Sequence, residues 1–508
     1  MTHYDVIVIG TGAGGGTLVN RLARTGKNVL VLERGGWLKR EPQNMDPREV
    51  FVKGRYVSPD TWVNGVTGEE FQPGTHYNVG GATKFYGAAL FRLRREDFGE
   101  VQHEDGVSPA WPIGYGDLSP FYAQAERMYQ VHGNRGEDPT EAFTPDEYPH
   151  PAVSHSPHME KLSAALAEQG YHPFHAPAGI LLNEKRPEMS ACMRCNFCDG
   201  HPCIVGAKAD AEVIGIRPVM DLPNVTLVTN AEVDMIGKDT HDRLMPPSAV
   251  RQVNRVRVIR DGQYETYYGD VIVLAAGAVN TAKILLKSGI GNSSGQVGRN
   301  YMFHRSRAVM SVGFEPNDTV FQKTLAVNDF YGPNPKLGTS WPLGGIQMVG
   351  KSNAAAMRGE SKLARTVPGI ALDETAAHAV DWWLTTEDLP RPENRVTRLP
   401  QSGRVVLTVN QTGAGESAQL YRELKRMLSG IGHYGFASHA IGLDGVAHQA
   451  GTARMGDDPR TSVVDANLKA HDLDNLYICD ASVFPSVGAV NPALTVMALA
   501  LRLGDHLS

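Results

Sequence analysis

The chain has 508 residues, which is enough for about two to four domains with large apolar cores. It is 42% hydrophobic and 20% charged, with a formal net charge of -6 and no basic stripe. This composition is typical of a soluble globular protein, and it argues against a nucleic-acid partner.

No targeting or membrane segment is expected from the pattern of apolar residues. A strand pattern begins within a few residues of Met1, which leaves no room for a signal peptide. The late apolar run 493–503 is too short to span a bilayer and contains Arg502. We therefore expect a cytoplasmic protein with no membrane attachment.

A glycine-rich turn follows the first predicted strand. The apolar run 6–9 predicts a buried parallel strand, and Gly10-Thr11-Gly12-Ala13-Gly14-Gly15 comes directly after it. Gly10 allows a tight turn, Gly12 allows the backbone to approach a pyrophosphate, and Gly15 allows the next helix to pack closely on the strand.

The residues after this turn complete a strand-helix-strand unit. The spacing predicts a helix from near Ala13 to Gly26 and a second strand over 28–32. Glu33 ends that strand, where its carboxylate can accept both ribose hydroxyls of an adenosine. The unit predicts a bound dinucleotide rather than an empty turn, but these residues do not distinguish FAD from NAD.

Two candidate catalytic residues lie near the end of the chain. His448 is followed by Gly451 and Thr452, which predicts a turn that presents the ring to a cavity. A neutral imidazole is suited to taking a proton from an alcohol. Asn491 precedes Pro492 and an apolar stretch, a pattern that predicts an N-cap and a first helical residue.

Segments in the same order along almost the whole chain resemble motifs of the glucose-methanol-choline (GMC) family of FAD oxidoreductases. These segments are Val79–Gly87, Trp111–Ile113, Val271–Ala278, Val297–Asn300, His448–Gly456 and Asn491–Thr495. The resemblance implies an α/β fold with two domains. One is a doubly wound, Rossmann-type FAD-binding domain formed by residues 1–150, 200–310 and 445–508. The other is a substrate domain on a largely antiparallel sheet, formed by residues 151–199 and 311–444.

The resemblance also assigns roles to residues. His448 would be the catalytic base and Asn491 its partner beside the substrate oxygen. Asp480, at the end of the predicted strand 476–479, would bind the ribityl hydroxyls of FAD, although a helix-capping role is the alternative. Val233 would lie against the adenine. The full predicted cofactor site consists of Gly10, Gly12, Gly15, Glu33, Gly80, Gly81, Thr83, Val233, Ala276, Gly277, Asp480, Ala481, Asn491 and Pro492.

The phrases Thr83–Leu90 and Thr386–Pro390 resemble the bacterial branch of the family near pyranose oxidases and glycoside or C-glycoside 3-oxidases. This branch implies oxidation of a secondary hydroxyl of a small-molecule sugar or glycoside to a ketone, with dioxygen reduced to hydrogen peroxide. Fungal pyranose oxidases link FAD covalently through a histidine near the glycine turn, where this chain has Lys84. We therefore expect FAD to be bound without a covalent bond.

Four of the five cysteines lie within twelve residues, at Cys192, Cys195, Cys198 and Cys203. Their spacing is close to that of iron-sulfur sites, and zinc is also possible. The alternative function is then a sugar dehydrogenase that passes electrons through an iron-sulfur cluster to a partner protein. The other interpretation, four thiols or a local disulfide that only shape the loop, is favoured, so no metal site is assigned.

The region from about 310 to 440 contains few motifs. Residues 403–409 predict a strand in an antiparallel sheet, and 420–428 predict an amphipathic helix. Residues 321–331 are expected to form a loop over the pocket, because Gly332, Pro333 and Pro335 break regular structure. Trp382 and Trp383 could stack on a sugar or belong to the core, and the core is favoured.

Overall fold

The computed structural model describes residues 3–238, 251–335, 338–360, 364–445 and 447–508. The α-helices are α1 (Ala13–Leu22), α2 (Tyr115–Met128), α3 (Pro157–Glu168), α4 (Ala278–Ser288), α5 (Ala354–Glu360), α6 (Gly369–Ala377), α7 (Ala414–Ser429) and α8 (Ala493–Leu507). None of the helices in these ranges is long and apolar enough to cross a membrane.

The main sheet has seven strands and contains the predicted strand-helix-strand unit. Its strands are β1 (His3–Ile9), β2 (Val29–Leu32), β10 (Val225–Val228), β11 (Glu232–Gly237), β12 (Arg255–Arg260), β13 (Gln263–Leu274) and β21 (Leu476–Ile478). The order is β10-β2-β1-β13-β12-β11, and β21 lies beside β13. Strands β10, β2, β1, β13 and β21 are mutually parallel, whereas β12 and β11 add an antiparallel edge.

The carboxyl ends of the central strands meet at one edge of the main sheet. Ile9 of β1 pairs with Leu32 of β2 and with Leu274 of β13. The residues that follow these strands therefore emerge side by side, which is where open α/β sheets bind their ligands. The central strands are buried on both faces, as expected of a sheet covered by helices.

The second sheet has six strands and is antiparallel throughout. Its strands are β8 (Pro173–His175), β14 (Arg305–Gly313), β15 (Leu325–Val327), β16 (Gly345–Met348), β17 (Ala379–Thr386) and β20 (His433–Ala440). They follow the order β20-β14-β17-β16-β15-β8. One face carries a core in which Val380, Trp382 and Leu384 of β17 lie with Leu420 and Leu424 of α7. The predicted fold class, α/β with a second, largely antiparallel sheet, is confirmed.

Smaller sheets complete the fold. They contain β3 (Trp62–Asn64), β4 (Glu70–Phe71), β18 (Arg395–Arg398) and β19 (Val405–Thr408), the hairpin β5 (Val101–His103) and β6 (Gly106–Ser108), and the pair β7 (Val131–His132) and β9 (Ala178–Gly179). The predicted strand over 403–409 is present as β19, in the four-stranded mixed sheet of β18, β19, β3 and β4. The predicted helix over 420–428 is present within α7. The division of the chain into two discontinuous domains stays a prediction.

Three element predictions were wrong in detail. Residues 321–331 do not form a loop over the pocket, because Leu325 and Val327 of β15 are fully buried in the six-stranded sheet. Helix α1 ends at Leu22 rather than near Gly26. Helix α8 begins at Ala493, so Pro492 is its N-cap and Asn491 lies one residue before the cap.

Candidate active site

A cavity of about 1330 Å³ lies between the carboxyl edge of the main sheet and the open face of the six-stranded sheet. Typical small-molecule pockets measure about 300–1,000 Å³. The cavity is therefore large enough for an extended cofactor together with a second, smaller molecule. Its walls include most of the predicted cofactor residues and both candidate catalytic residues.

The first glycine turn forms one end of this cavity. A Cβ on Gly15 would lie 1.9 Å from the Gly10 carbonyl oxygen, and one on Gly10 would lie 2.4 Å from the Ala275 oxygen. These two glycines allow α1 to pack closely against β1 and β13. A Cβ on Gly12 would have no atom within 4 Å, and Gly12 lines the cavity. The open side of the turn therefore faces the cavity at the N-terminus of α1, where anions bind favourably.

Glu33 is held inside this wall by donors from the chain itself. Its carboxylate accepts hydrogen bonds from the Thr11 amide at 3.0 Å, the Thr11 hydroxyl at 2.6 Å and the Gly35 amide at 2.9 Å. Burial raises the pKa of Glu33, and these bonds oppose the shift. A carboxylate offers about four lone-pair positions, so three internal donors leave one for a ligand hydroxyl.

The second glycine turn touches the first. A Cβ on Gly81 would lie 3.0 Å from the Gly12 Cα, and Gly80 has φ +95°, a left-handed conformation that favours glycine. The Gly80 amide donates to the Thr11 hydroxyl at 3.0 Å, and the Thr83 hydroxyl donates to the Gly80 carbonyl at 2.6 Å. Thr11, which sequence reasoning did not single out, therefore joins Glu33 and both turns.

Asp480 binds the start of α4 from the end of β21. Its carboxylate accepts from the Gly277 amide at 3.0 Å, the Thr281 hydroxyl at 2.6 Å and the Ser482 amide at 2.8 Å. Burial raises its pKa against these bonds. Asp480 thus caps helical turns, and it also lines the cavity, so the two predicted roles are compatible. The cavity is also lined by Ala276, Ala481, Val233 and Pro492. Gly15 and Gly80 belong to the two glycine turns but do not themselves line the cavity.

His448 lies on the cavity wall with one ring nitrogen already engaged. Its Nδ1 is 2.9 Å from Nδ1 of His304, a buried residue that the sequence motifs did not indicate. In the described ranges, Nε2 of His448 has no hydrogen-bond partner. Burial lowers the pKa of His448 to about 3, and the neighbouring His304 acts in the same direction. The ring is therefore neutral at ordinary pH.

The backbone before Asn491 is fixed by buried side chains. Glu387 accepts from the amides of Val487 at 3.2 Å and Gly488 at 3.0 Å, and the Tyr331 hydroxyl accepts from the Ala489 amide at 3.1 Å. Within the described part of the chain, the Asn491 carboxamide makes no hydrogen bond and lines the cavity. It remains available to a ligand.

The open face of the six-stranded sheet forms the opposite wall. A single cross-strand row pairs His439 with Ala308, Ala308 with Trp383, and Trp383 with Gln347, and all four line the cavity. Trp382 points to the other face, where it is fully buried and its Nε1 donates to the Ser311 hydroxyl at 3.1 Å. The expectation of a core position is therefore right for Trp382 and wrong for Trp383.

The carboxylates on this side of the cavity are already paired. Asp199 accepts from the Lys323 ammonium at 2.8 and 3.0 Å. Asp381 accepts from the Gln322 amide group at 3.0 Å and the Ser352 backbone amide at 2.9 Å, and burial raises its pKa. Together with Lys351, which also lines the cavity, these groups give the wall no excess of negative charge.

The four clustered cysteines are free thiols. Within the described ranges, no group of three or more His, Cys, Asp or Glu side chains could hold a metal ion. The iron-sulfur or zinc interpretation is therefore not supported. Lys84, at the end of the second glycine turn, is buried in ion pairs with Asp210 at 2.9 Å and Glu212 at 2.5 Å.

Comparison with known proteins identifies the family. A family model described as GMC oxidoreductase matches residues 77–306, and a second with the same description matches residues 436–500. These matches cover more than half of the chain, and the chain belongs to the GMC oxidoreductase family. It is an FAD-dependent alcohol oxidoreductase.

Individual relatives extend over the full chain. The 6'''-hydroxyparomomycin C oxidase of Streptomyces lividus is 31% identical, over 99% of this chain and 92% of the relative. The paromamine 6'-oxidase of Streptomyces fradiae is 30% identical, over 98% and 90% respectively. The crystal structure of pyridoxine 4-oxidase from Mesorbium loti superposes with a TM-score of 0.66 at 18% identity, covering 99% of each chain, which shows the shared fold.

The residues of the cavity fit FAD. The Gly12 and Gly277 positions would each leave a Cβ without neighbours within 4 Å, so the backbone at the starts of α1 and α4 is open to a ligand. The N-cap residue of each helix is a glycine, so neither helix receives a cap from its own N-cap side chain at this wall. Oriented helix N-termini at a glycine turn bind the pyrophosphate of a dinucleotide.

Proposed function

We propose that this protein is an FAD-dependent oxidase that converts a secondary hydroxyl of a neutral sugar or glycoside to a ketone, with dioxygen reduced to hydrogen peroxide. The third carbon of a glycoside or C-glycoside, or a pyranose ring, is the proposed position. FAD is bound without a covalent bond in this proposal.

One observation carries the proposal: His448 and Asn491 line the same cavity, and each presents polar atoms without a protein partner in the described ranges. A hydroxyl between them could donate its proton to the imidazole while its oxygen accepts a hydrogen bond from the carboxamide. FAD, when bound, supplies the hydride acceptor for the carbinol carbon. The imidazolium left after proton transfer is a fixed positive charge, which favours electron transfer to dioxygen.

The charge of the substrate wall supports a neutral substrate. Two similar proteins are named as oxidases of paromamine and of a hydroxyparomomycin, and such amino sugars are cationic at neutral pH. Of the carboxylates on this wall, Asp199 is neutralised by Lys323, and Asp381 is buried and already accepts from Gln322 and Ser352, which leaves few acceptor positions for an ammonium group. An aminoglycoside oxidase is therefore the second candidate, favoured by sequence similarity and opposed by the charge of the cavity.

Anaerobic mixing of the holoenzyme with a panel of substrates tests the proposal. The panel contains free pyranoses, O-glycosides, C-glycosides and paromamine, and the readout is loss of flavin absorbance. We expect loss with neutral glycosides and little with paromamine. Loss with paromamine alone would replace the proposed substrate class with the second candidate.

The electron acceptor is tested separately. We expect hydrogen peroxide in stoichiometric amount to ketone under air, and neither iron nor acid-labile sulfide in anaerobically purified protein. Stoichiometric iron and sulfide, with slow peroxide formation, would instead support a dehydrogenase that transfers electrons through the Cys192–Cys203 segment.

A further inference from the structure

We propose that His304 is a positioning residue that fixes the tautomer of His448 and so makes Nε2 of His448 the proton acceptor. This inference rests on the proposed function, because it assumes that His448 is the base. It assigns a role to a residue that no sequence motif indicated.

The hydrogen bonds of His304 determine which of its nitrogens carries a proton. Its Nε2 lies 3.0 Å from the Gly488 carbonyl oxygen and 3.3 Å from the Val487 carbonyl oxygen. Carbonyl oxygens only accept hydrogen bonds, so Nε2 of His304 must be the donor. An unprotonated Nε2 would instead place a lone pair against two buried carbonyls, at a cost of the order of a lost hydrogen bond.

The peptide groups of the two carbonyls are held by buried acceptors. The Gly488 amide, in the peptide group of the Val487 carbonyl, donates to Glu387, and the Ala489 amide, in that of the Gly488 carbonyl, donates to the Tyr331 hydroxyl. Glu387 accepts from the amides of Val487 and Gly488, and its other oxygen is 3.1 Å from Nε2 of His103. Burial disfavours the charged form of His103, but its bonds to Glu387 and Glu416 outweigh this effect and raise its pKa to about 9. The acceptor pair for His304 is thus part of a buried, charge-assisted network.

The positions of the protons on the two imidazole rings then follow. Burial lowers the pKa of His304 to about 4, so it is neutral at ordinary pH, and with a proton on Nε2 its Nδ1 is an acceptor. The 2.9 Å bond between the two Nδ1 atoms needs one proton, which His448 must supply. A neutral His448 protonated on Nδ1 has its lone pair on Nε2, the nitrogen left without a partner.

The backbone of His448 is in an uncommon conformation. Its φ is 61°, in the left-handed region that side chains other than glycine adopt at an energetic cost. In the reaction, the substrate O–H bond breaks and its proton passes to Nε2 of His448. The electron pair of that bond would form the carbonyl bond, and FAD, when bound, would supply the acceptor for the hydride of the carbinol carbon.

Two substitutions of similar size separate positioning from packing. His304→Leu removes the acceptor, whereas His304→Asn keeps a carboxamide oxygen near the position of Nδ1. We expect the His304→Leu variant to bind FAD but to slow the anaerobic rate constant of flavin reduction about tenfold or more, with little change in apparent substrate affinity. The His304→Asn variant should recover most of that rate. Equal losses in both variants, or an effect on affinity alone, would overturn the inference.

A double-mutant cycle provides the second measurement. If His304 acts only through His448, His304→Asn and His304→Leu should differ little in a His448→Ala background. A difference as large as in the wild-type background would contradict the inference. If the His304→Leu variant does not fold, His304→Gln, which keeps a donor for the carbonyls but no acceptor at Nδ1, replaces it with the same expectation. Failure of the proposed function itself would be recognised separately, by unimpaired reduction in the single variant His448→Ala.

Discussion

His448 combines the two properties that a general base needs, an unoccupied ring nitrogen and a neutral ring. Neutrality follows from burial and from the neighbouring His304, which together lower its pKa. The same environment would disfavour the imidazolium in the absence of a compensating charge. The ketone product is neutral, so the compensating negative charge would have to come from reduced FAD, when bound beside the ring.

Removal of the base should separate cofactor binding from catalysis. We expect His448→Ala to retain FAD, because the substitution leaves the first glycine turn and Glu33 unaltered, but to slow flavin reduction about a hundredfold or more. Anaerobic stopped-flow absorbance measures the rate. His172→Ala, at a side chain that is 62% exposed, is the control and should behave as wild type. A His448→Ala variant with the wild-type rate would reject the assigned base.

The pH dependence of reduction tests the neutrality of His448. A base with a lowered pKa is deprotonated, and so competent, at every pH above that lowered value. The acid limb of the reduction rate constant should therefore lie below about pH 6.5, the ordinary value for histidine. Stopped-flow measurements from about pH 5 to 8 check this, and an acid limb centred above about pH 7 would contradict it.

Individual residues differ in how far the sequence could indicate them. His448, Asn491 and Asp480 are embedded in motifs, so a resemblance was enough to select them. His304 and Glu387 act through distances set by the fold, 2.9 Å to another ring and 3.0 Å to a backbone amide. His304 lies in no recognised motif, and Glu387 lies within the phrase Thr386–Pro390 that carries the resemblance but received no role from it, so coordinates were needed to find what both residues do.

At the level of elements, the glycines of the first glycine turn serve two different purposes, close packing and ligand binding, which the sequence motif alone does not tell apart. Gly15 and Gly10 serve packing, because their Cβ atoms would meet backbone oxygens at 1.9 and 2.4 Å. Gly12 serves the ligand, because its Cβ would meet no protein atom within 4 Å.

A pair of substitutions tests this separation. Gly15→Ala should destabilise the protein by at least about 1–3 kcal/mol through overpacking, with loss of FAD as a consequence. Gly12→Ala should leave the melting temperature of the FAD-free protein unchanged and weaken FAD binding alone. Thermal unfolding with and without FAD, together with flavin titration, measures both effects. Equal destabilisation of the two FAD-free variants would refute the distinction.

Strand β17 illustrates how alternation assigns neighbouring residues to different roles. Trp382 faces the core beside α7, whereas Trp383 faces the cavity in the row with Gln347 and His439. An aromatic ring on a cavity wall is suited to stacking against the apolar face of a sugar.

Substitution of the two tryptophans should therefore have different consequences. Trp383→Ala should raise KM about tenfold with little change in stability, since about 1.4 kcal/mol of binding is lost. Trp382→Ala should destabilise the fold by about 3–5 kcal/mol. Steady-state kinetics and denaturant unfolding distinguish the two, with Phe143→Ala, at an 87% exposed side chain, as the control. Unchanged KM in Trp383→Ala would remove this ring from the substrate site.

Elements with strong local signals were predicted correctly, and those defined by tertiary packing were not. The glycine turn, β1 and β2 follow from apolar runs and breakers. The short strand β15 does not, because its three residues become a strand only between β16 and β8. The start of α8 was misplaced by one residue because Asn-Pro is compatible with either capping register.

At the scale of the whole molecule, function depends on two sheets assembled from distant parts of the chain. The main sheet positions the first glycine turn and Asp480, and the six-stranded sheet contributes the wall with Trp383. The order of motifs in the sequence predicted both an FAD-binding part and a second part built on an antiparallel sheet. It could not show which face of the second sheet is open, since that depends on where α7 packs.

The most direct test of the account is a crystal structure of the FAD complex with a bound neutral glycoside. We expect the flavin ring in the central cavity, with Nε2 of His448 and the Asn491 carboxamide on one hydroxyl and the carbinol carbon about 3–3.5 Å from flavin N5. A flavin ring bound elsewhere, or a hydroxyl out of reach of both side chains, would contradict the central claim.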